Sequence, residues 1–341
     1  MKIGGKEYRI KTGIIIFLAI STISAMILFY RGFDSDTWQS LKQIKPIYGF
    51  LAAVTMLLYF VFNGLRFQIL IKGLDVDVKF WDSSRAFIAN LFLGAVTPFQ
   101  TGGGPLQIYI LNKAGVPLAK AFSGCLMGAM LTIFSLVGST IVIMAFNPNL
   151  GFNSGSIMKA VFSTVSITFV IALTLFVLSL VKMDLLKKII AKSLNFITRG
   201  KTSFTEKVMG GLDQYSESMA IYRKARKITI LFAGLLTFGT IALLCIEASV
   251  ILAGLNVQHN VPEVFLTQFV LNFIVYFSPT PGGSGIAELS SYHMMGDFAE
   301  DLLEIYIIAW RFFTNFLGVT LGGLIVLDLL RKEGKRKAVS N

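Results

Sequence analysis

Apolar runs of membrane-crossing length recur along this chain, and they limit its fold more than any other feature. A helix needs ~20 apolar residues to cross a bilayer core. Stretches near or beyond that length lie at Thr12–Tyr30, Ile47–Ile71, Ala119–Phe146, Ile157–Val181, Ile228–Gly254 and Leu302–Leu330. Two further apolar stretches, Ala86–Leu111 and Glu263–Tyr292, are broken midway by proline and glycine. Backbone that leaves helical geometry at membrane depth exposes N–H and C=O groups that lipid cannot satisfy, so it must be sheltered by protein or face a wet cavity. Each broken stretch therefore reads as two half-helices that enter and leave on one side. The expected fold is an all-α integral membrane protein with six transmembrane helices plus two re-entrant broken helical hairpins. Composition agrees, at 54% hydrophobic residues and a mean hydropathy of +0.70.

Composition also excludes several chemistries. The cysteines are Cys125 and Cys245, both within apolar runs, and the histidines are His259 and His293. A disulfide framework, a zinc site or a Cys–His nucleophile pair is not expected, and neither a cofactor nor a metal is. The start, with a basic lead and an apolar run, has the outline of a signal peptide. It lacks a clean small-x-small cleavage site, so a retained first span is expected.

The basic residues fix an orientation. With six spans and two re-entrant hairpins both termini lie on one face. That face holds Lys2 to Lys11, Lys72 to Arg85, Lys113, Lys120, the loop Lys182 to Lys227 and the tail Arg331 to Lys337, which is 25 of the 31 basic residues. The positive-inside bias then puts both termini in the cytoplasm of a multi-pass cell-membrane protein. The net charge of +12 reads as topology and attraction to anionic lipid, with no nucleic-acid partner. Within the long loop, Phe204, Val208, Leu212, Tyr215, Met219 and Tyr222 recur at spacings of three and four. Residues 182–227 are thus expected to carry an amphipathic segment on the membrane surface.

The chain also matches itself. "ILIKGLDVDV" from Ile69 aligns with "VILAGLNVQH" from Val250, "FIANLF" from Phe87 with "FVLNFI" from Phe269, and "TPFQTGGG" from Thr97 with "SPTPGGS" from Ser278. The offset stays between 180 and 182 residues. The expected organisation is one membrane domain, 1–341, of two repeats: residues 12–146 with a hairpin near 86–111, and residues 157–330 with a hairpin near 263–292. Each repeat crosses three times, an odd number, so the second is inverted relative to the first. Paired Gly/Pro-interrupted segments at matching positions of two halves point to a transporter's central site.

The residues at the two breaks suit an anion. Around the first, Gly102, Gly103 and Gly104 can present successive N–H groups, and Thr97, Gln100, Thr101 and Gln107 add donors. Around the second, Ser278, Thr280, Gly282, Gly283 and Ser284 do the same. Half-helices begin just beyond, and helix N-termini attract phosphate. Ionisable residues inside apolar segments are costly and mark pathways. Arg66 lies ~9 Å of helix rise from the cytoplasmic end of its span, Glu247 ~10 Å from the outer end of its own, and Arg311 ~14 Å into the last, at ~1.5 Å per residue. Arg66 and Glu247 are equivalent at the 181-residue offset, and Glu288 follows the second glycine run. Arg311, and with it Arg66, is expected to hold a phosphate, while Glu247 and Glu288 balance charge or bind a cationic group. Two other readings stay open: Arg66 reaching back to the membrane surface, and a structural ion pair among the four. Arg311→Ala or Glu288→Gln is expected to abolish transport in a folded protein.

"TPFQTGGGPLQIYILNKAG" and "SPTPGGSGIAELS" together resemble the lysylphosphatidylglycerol synthase transmembrane-region family, the flippase-like membrane domain of bacterial multiple peptide resistance factors, linked to antibiotic resistance. The resemblance runs from about Lys11 to Arg331, and Pro279, Pro281, Gly282, Gly283, Gly285 and Glu288 carry most of it. It implies movement of aminoacylated phosphatidylglycerol between leaflets, with anionic or aminoacylated phospholipids as partners, a homodimer, and a separate lipid-modifying enzyme. Only Lys332 to Asn341 follow the last span, so the tRNA-dependent synthase domain is expected to be absent and the chain is expected not to be an enzyme. The expected function is a polar-lipid flippase or scramblase for a phosphate-bearing head group. The alternatives are a lysyl-tRNA-dependent phosphatidylglycerol lysyltransferase component, or a transporter of a small anion or polyprenyl phosphate.

Overall fold

A computed structural model describes residues 45–146 and 227–340 continuously, with short pieces elsewhere between residues 2 and 220. The expected span Thr12–Tyr30, the expected span Ile157–Val181 apart from Thr174, and the six apolar residues of the amphipathic pattern, Phe204, Val208, Leu212, Tyr215, Met219 and Tyr222, lie outside the described residues. What is described is helical, apart from a two-residue antiparallel ribbon pairing Lys2–Ile3 with Lys6–Glu7.

Nine helices are described: α1 (Pro46–Lys72), α2 (Phe80–Ala95), α3 (Gly103–Lys113), α4 (Leu118–Phe146), α5 (Lys227–Gly254), α6 (Val261–Tyr276), α7 (Ile286–Ala299), α8 (Leu303–Arg311) and α9 (Leu317–Ser340). A one-turn π-helical segment, Phe312–Phe316, joins α8 to α9. Helices α1, α4 and α5, and the α8–α9 run over Leu303–Lys332, are each long and apolar enough to cross a membrane. They reproduce the four expected spans that fall on described residues, to within a few residues at each end. The hairpins are longer than expected: α2 begins at Phe80, where the amphipathic "FWDSSR" turn is already helical, and α7 runs on to Ala299.

The same order of parts occurs twice. A long helix is followed by a short one, a one-turn break, a second short helix and another long one, in α1–α4 and again in α5–α9. Local geometry recurs with it. The turns after α1 and α5 each carry a left-handed residue, Asp75 (φ 55°) and Asn256 (φ 58°), types that tolerate that region. Gly73 packs against the Thr229 side chain and Gly254 against the Tyr48 side chain. The Arg66–Thr237 hydrogen bond falls in the same register, so α1 and α5 lie antiparallel along their length. Among the described helices no pair packs more extensively.

Two apolar clusters mark opposite ends of α4. Near its start, Ala121 and Cys125 join Ile71, Val78, Ala86, Leu111, Val116 and Val326. Near its end, Met144 joins Leu252, Leu255, Val264, Ala299 and Leu303. Ala121 and Met144 are ~35 Å apart at 1.5 Å per residue, about the depth of a bilayer core. The α2–α3 hairpin leaves and returns at the first end: Lys120 Nζ donates to the Leu74 carbonyl across its base (2.7 Å), and Arg85 pairs with Asp328 at the far end of α9 (2.7 Å). The α6–α7 hairpin leaves and returns at the other end. The two breaks touch one another in the interior.

Candidate functional site

Each break is built from its own sequence. In the first, Pro98–Gln100 forms a single turn in which Phe99 (φ 52°) and Gln100 (φ 55°) are both left-handed. For non-glycine residues this is a strained arrangement, of the kind concentrated at functional sites. Thr97 locks it, since its Oγ1 donates to the Leu93 carbonyl (2.7 Å) and accepts the Gly102 N–H (2.8 Å). Gly103 sits so close to Asn90 that a Cβ there would overlap the Asn90 side chain and backbone. That approach lets Asn90 Nδ2 donate to Gln107 Oε1 across the hairpin (2.6 Å).

The second break is held by an ion pair. Pro281–Gly283 turns through left-handed Gly282 (φ 61°) and Gly283 (φ 69°). Arg311 Nε donates to Glu288 Oε1 (2.8 Å), and Arg311 Nη2 and Asn315 Nδ2 both donate to the Gly282 carbonyl (3.1 Å each). The other Glu288 oxygen accepts the Gly285 N–H (2.6 Å), so the start of α7 already holds an anion of the protein's own. Glu288 and Gln107 stand 181 residues apart: the second break has a charged pair where the first has a neutral amide pair.

Between the breaks lies a cavity of ≈ 440 Å³. Of the expected site residues, Arg66, Gln100, Thr101, Gly104, Gln107, Gly282 and Arg311 line it. Thr97, Gly102, Gly103, Ser278, Thr280, Gly283 and Ser284 are not on its wall, and the Ser278 and Thr280 hydroxyls bond each other (2.8 Å). Glu288 faces Arg311 rather than the cavity. Glu247 is wholly buried and does not line it, and neither carboxyl oxygen has a partner among the described residues.

Arg66 does not reach back to a surface. It is 5% exposed, its Nη1 donates to the hydroxyls of Thr132 (2.9 Å) and Thr237 (3.4 Å), and its guanidinium covers the Phe67 ring at 4.6 Å. Among the described residues no carboxylate pairs with it. Four buried atoms of the wall residues find no partner among the described residues: the donors Arg66 Nε, Gln107 Nε2 and Trp310 Nε1 and the acceptor Asn315 Oδ1. Leaving a buried donor unmade costs about 1–3 kcal/mol, and Arg66 carries such a donor on a cation with no carboxylate partner among the described residues.

Sequence reasoning missed the amides Asn63, Asn90, Asn272 and Asn315 and the hydroxyls Thr132 and Thr240, all on the wall. Signals existed. Asn63 and Asn315 stand three and four residues from Arg66 and Arg311, hence on the same helix faces, and Asn90 and Asn272 match across the repeat.

Residues 14–322 match the family described as "Lysylphosphatidylglycerol synthase TM region". A protein of Archaeoglobus fulgidus named "UPF0104 membrane protein" is 23% identical over 332 residues, covering 92% of this chain and 95% of that protein.

Proposed function

The chain belongs to the lysylphosphatidylglycerol synthase transmembrane-region family, and on that premise we propose that it moves a phosphate-bearing lipid head group between leaflets, as a flippase or scramblase. One observation carries the reading: a buried arginine that no carboxylate pairs with among the described residues, on the wall of a cavity lined by amides and hydroxyls. A phosphate supplies a negative charge and several acceptor oxygens at once, which is the complement of that wall. Arg66 is the primary grip. Arg311, already engaged by Glu288, is the secondary one, and the Gly104 end of α3, which has no side-chain cap, adds backbone N–H groups.

The two halves act as inverted repeats. This is supported by the recurrence of helix order, of the Asp75 and Asn256 turns and of the Gly73 and Gly254 contacts, and by hairpins that leave and return at opposite ends of the molecule. The end carrying Lys120, Arg85 and Lys332 faces the cytoplasm, with the other basic loops. Rocking one half against the other would open the cavity to each leaflet in turn.

The test is reconstitution into vesicles with labelled phosphatidylglycerol, undecaprenyl phosphate or small anions, scored against protein-free vesicles. Lipid crossing that needs Arg66 is expected. Flux of small anions with no lipid movement would sink the reading.

A further inference from the structure

The cavity wall discriminates by what it lacks. Among the described residues no aspartate or glutamate lines it. Its charged members are Arg66 and Arg311, and Glu288 neutralises Arg311 from behind with both oxygens occupied. The wall therefore carries about one positive charge, on Arg66. Around it stand the carboxamides of Asn63, Asn90, Asn272, Asn315, Gln100 and Gln107, each offering a donor and an acceptor, as hydroxyl groups do. An ammonium group is matched best by a carboxylate, and here it would find only the neutral oxygens of these amides among the described residues.

We infer that the head group accepted here is an anionic phosphoester rich in hydroxyls and without an amine, such as a glycerol or sugar phosphate, and that amine-bearing heads are rejected. This rests on the transporter reading and narrows it, and it departs from the aminoacylated cargo the family's name evokes. The mechanism of rejection is an unmatched charge: with the phosphate on Arg66, the ammonium of an amine-bearing head has no anionic partner on the described wall, and such mismatches are penalised more in a buried site than in water.

The soluble chemistry and the lipid can be separated. Binding of glycerophosphoglycerol and glycerophosphoethanolamine to the detergent-purified full chain, by calorimetry, isolates the head group, since the two share a phosphodiester and differ in hydroxyl against amine. Glycerophosphoglycerol should bind at least ~10-fold tighter, Arg66→Gln should erase most of that binding, and Gln100→Glu should shift the ratio towards the amine. Equal affinities, preference for the amine, or no measurable binding of either head would overturn the inference. Vesicles with labelled phosphatidylglycerol and phosphatidylethanolamine then test transport. Both lipids crossing at one rate overturns the inference and leaves the transporter reading standing. Binding selectivity without lipid movement keeps the inference and removes the transporter.

Discussion

At the residue scale the two cavity arginines differ in what their removal exposes. Arg311 sits in a buried ion pair that also bridges to the Gly282 carbonyl, so Arg311→Ala leaves Glu288 charged, buried and uncompensated. That class of change costs about 3–5 kcal/mol, and Arg311→Ala is expected to lower the thermal melting point sharply. The double variant Arg311→Met with Glu288→Leu should recover much of the loss, which a double-mutant cycle measures. The expectation that Arg311→Ala leaves a normally folded protein thus meets a second duty of the pair, holding the break in shape. Arg66 has no charged partner to strand among the described residues. Arg66→Gln should change stability by less than ~1 kcal/mol while reducing head-group binding about tenfold or more, read by melting and calorimetry on one preparation. Glu247 is the reverse case, a buried carboxylate with both oxygens unpartnered. Glu247→Gln replaces a buried acid that nothing pairs with among the described residues by a neutral isostere, and the melting point should stay level or rise; a large fall would reveal a partner.

At the element scale the breaks depend on close approach more than on flexible backbone. Gly103 and Gly104 are neighbours in one glycine run, yet a Cβ on Gly103 would collide with Asn90 whereas a Cβ on Gly104 meets nothing within 4 Å. Gly103→Ala should destabilise by about 1–3 kcal/mol, as overpacking does, and Gly104→Ala should leave the melting point nearly unchanged. The glycine run marked a break in the sequence, but which glycine carries the fold followed only from the hairpin's closure on Asn90. Hairpin limits were misjudged for a related reason. "FWDSSR" and "MMGDFA" are too polar for a hydropathy window, yet they are the amphipathic outer ends of α2 and α7, with Ser83, Ser84, Met295 and Ala299 packed inside.

At the scale of the whole molecule the central claim is sidedness. The turn holding Asp77 and the turn holding Asp301 lie at opposite ends, beside the two apolar clusters that α4 connects. With Cys125 and Cys245 buried, single Asp77→Cys and Asp301→Cys variants should react with an impermeant maleimide from the cytoplasmic and outer faces respectively. Labelling of both from the same face would refute opposed hairpins and the inverted halves with them.

The sequence alone determined that this chain lives in a membrane, where the four described long helices run, that two apolar stretches are broken, and which residues place ionisable groups at depth. Run length, proline and glycine placement and charge are local properties, and hydrocarbon enforces them locally. Tertiary structure decided the rest. Arg66 and Arg311 looked alike along the chain, and so did Glu247 and Glu288. Only packing showed that Glu288 reaches across 23 residues of sequence to Arg311, that Arg66 is left with hydroxyls, and that Glu247 stands outside the cavity. The strength of a charge in a protein interior depends on which partner shares its low-dielectric surroundings, and partners are chosen by the fold.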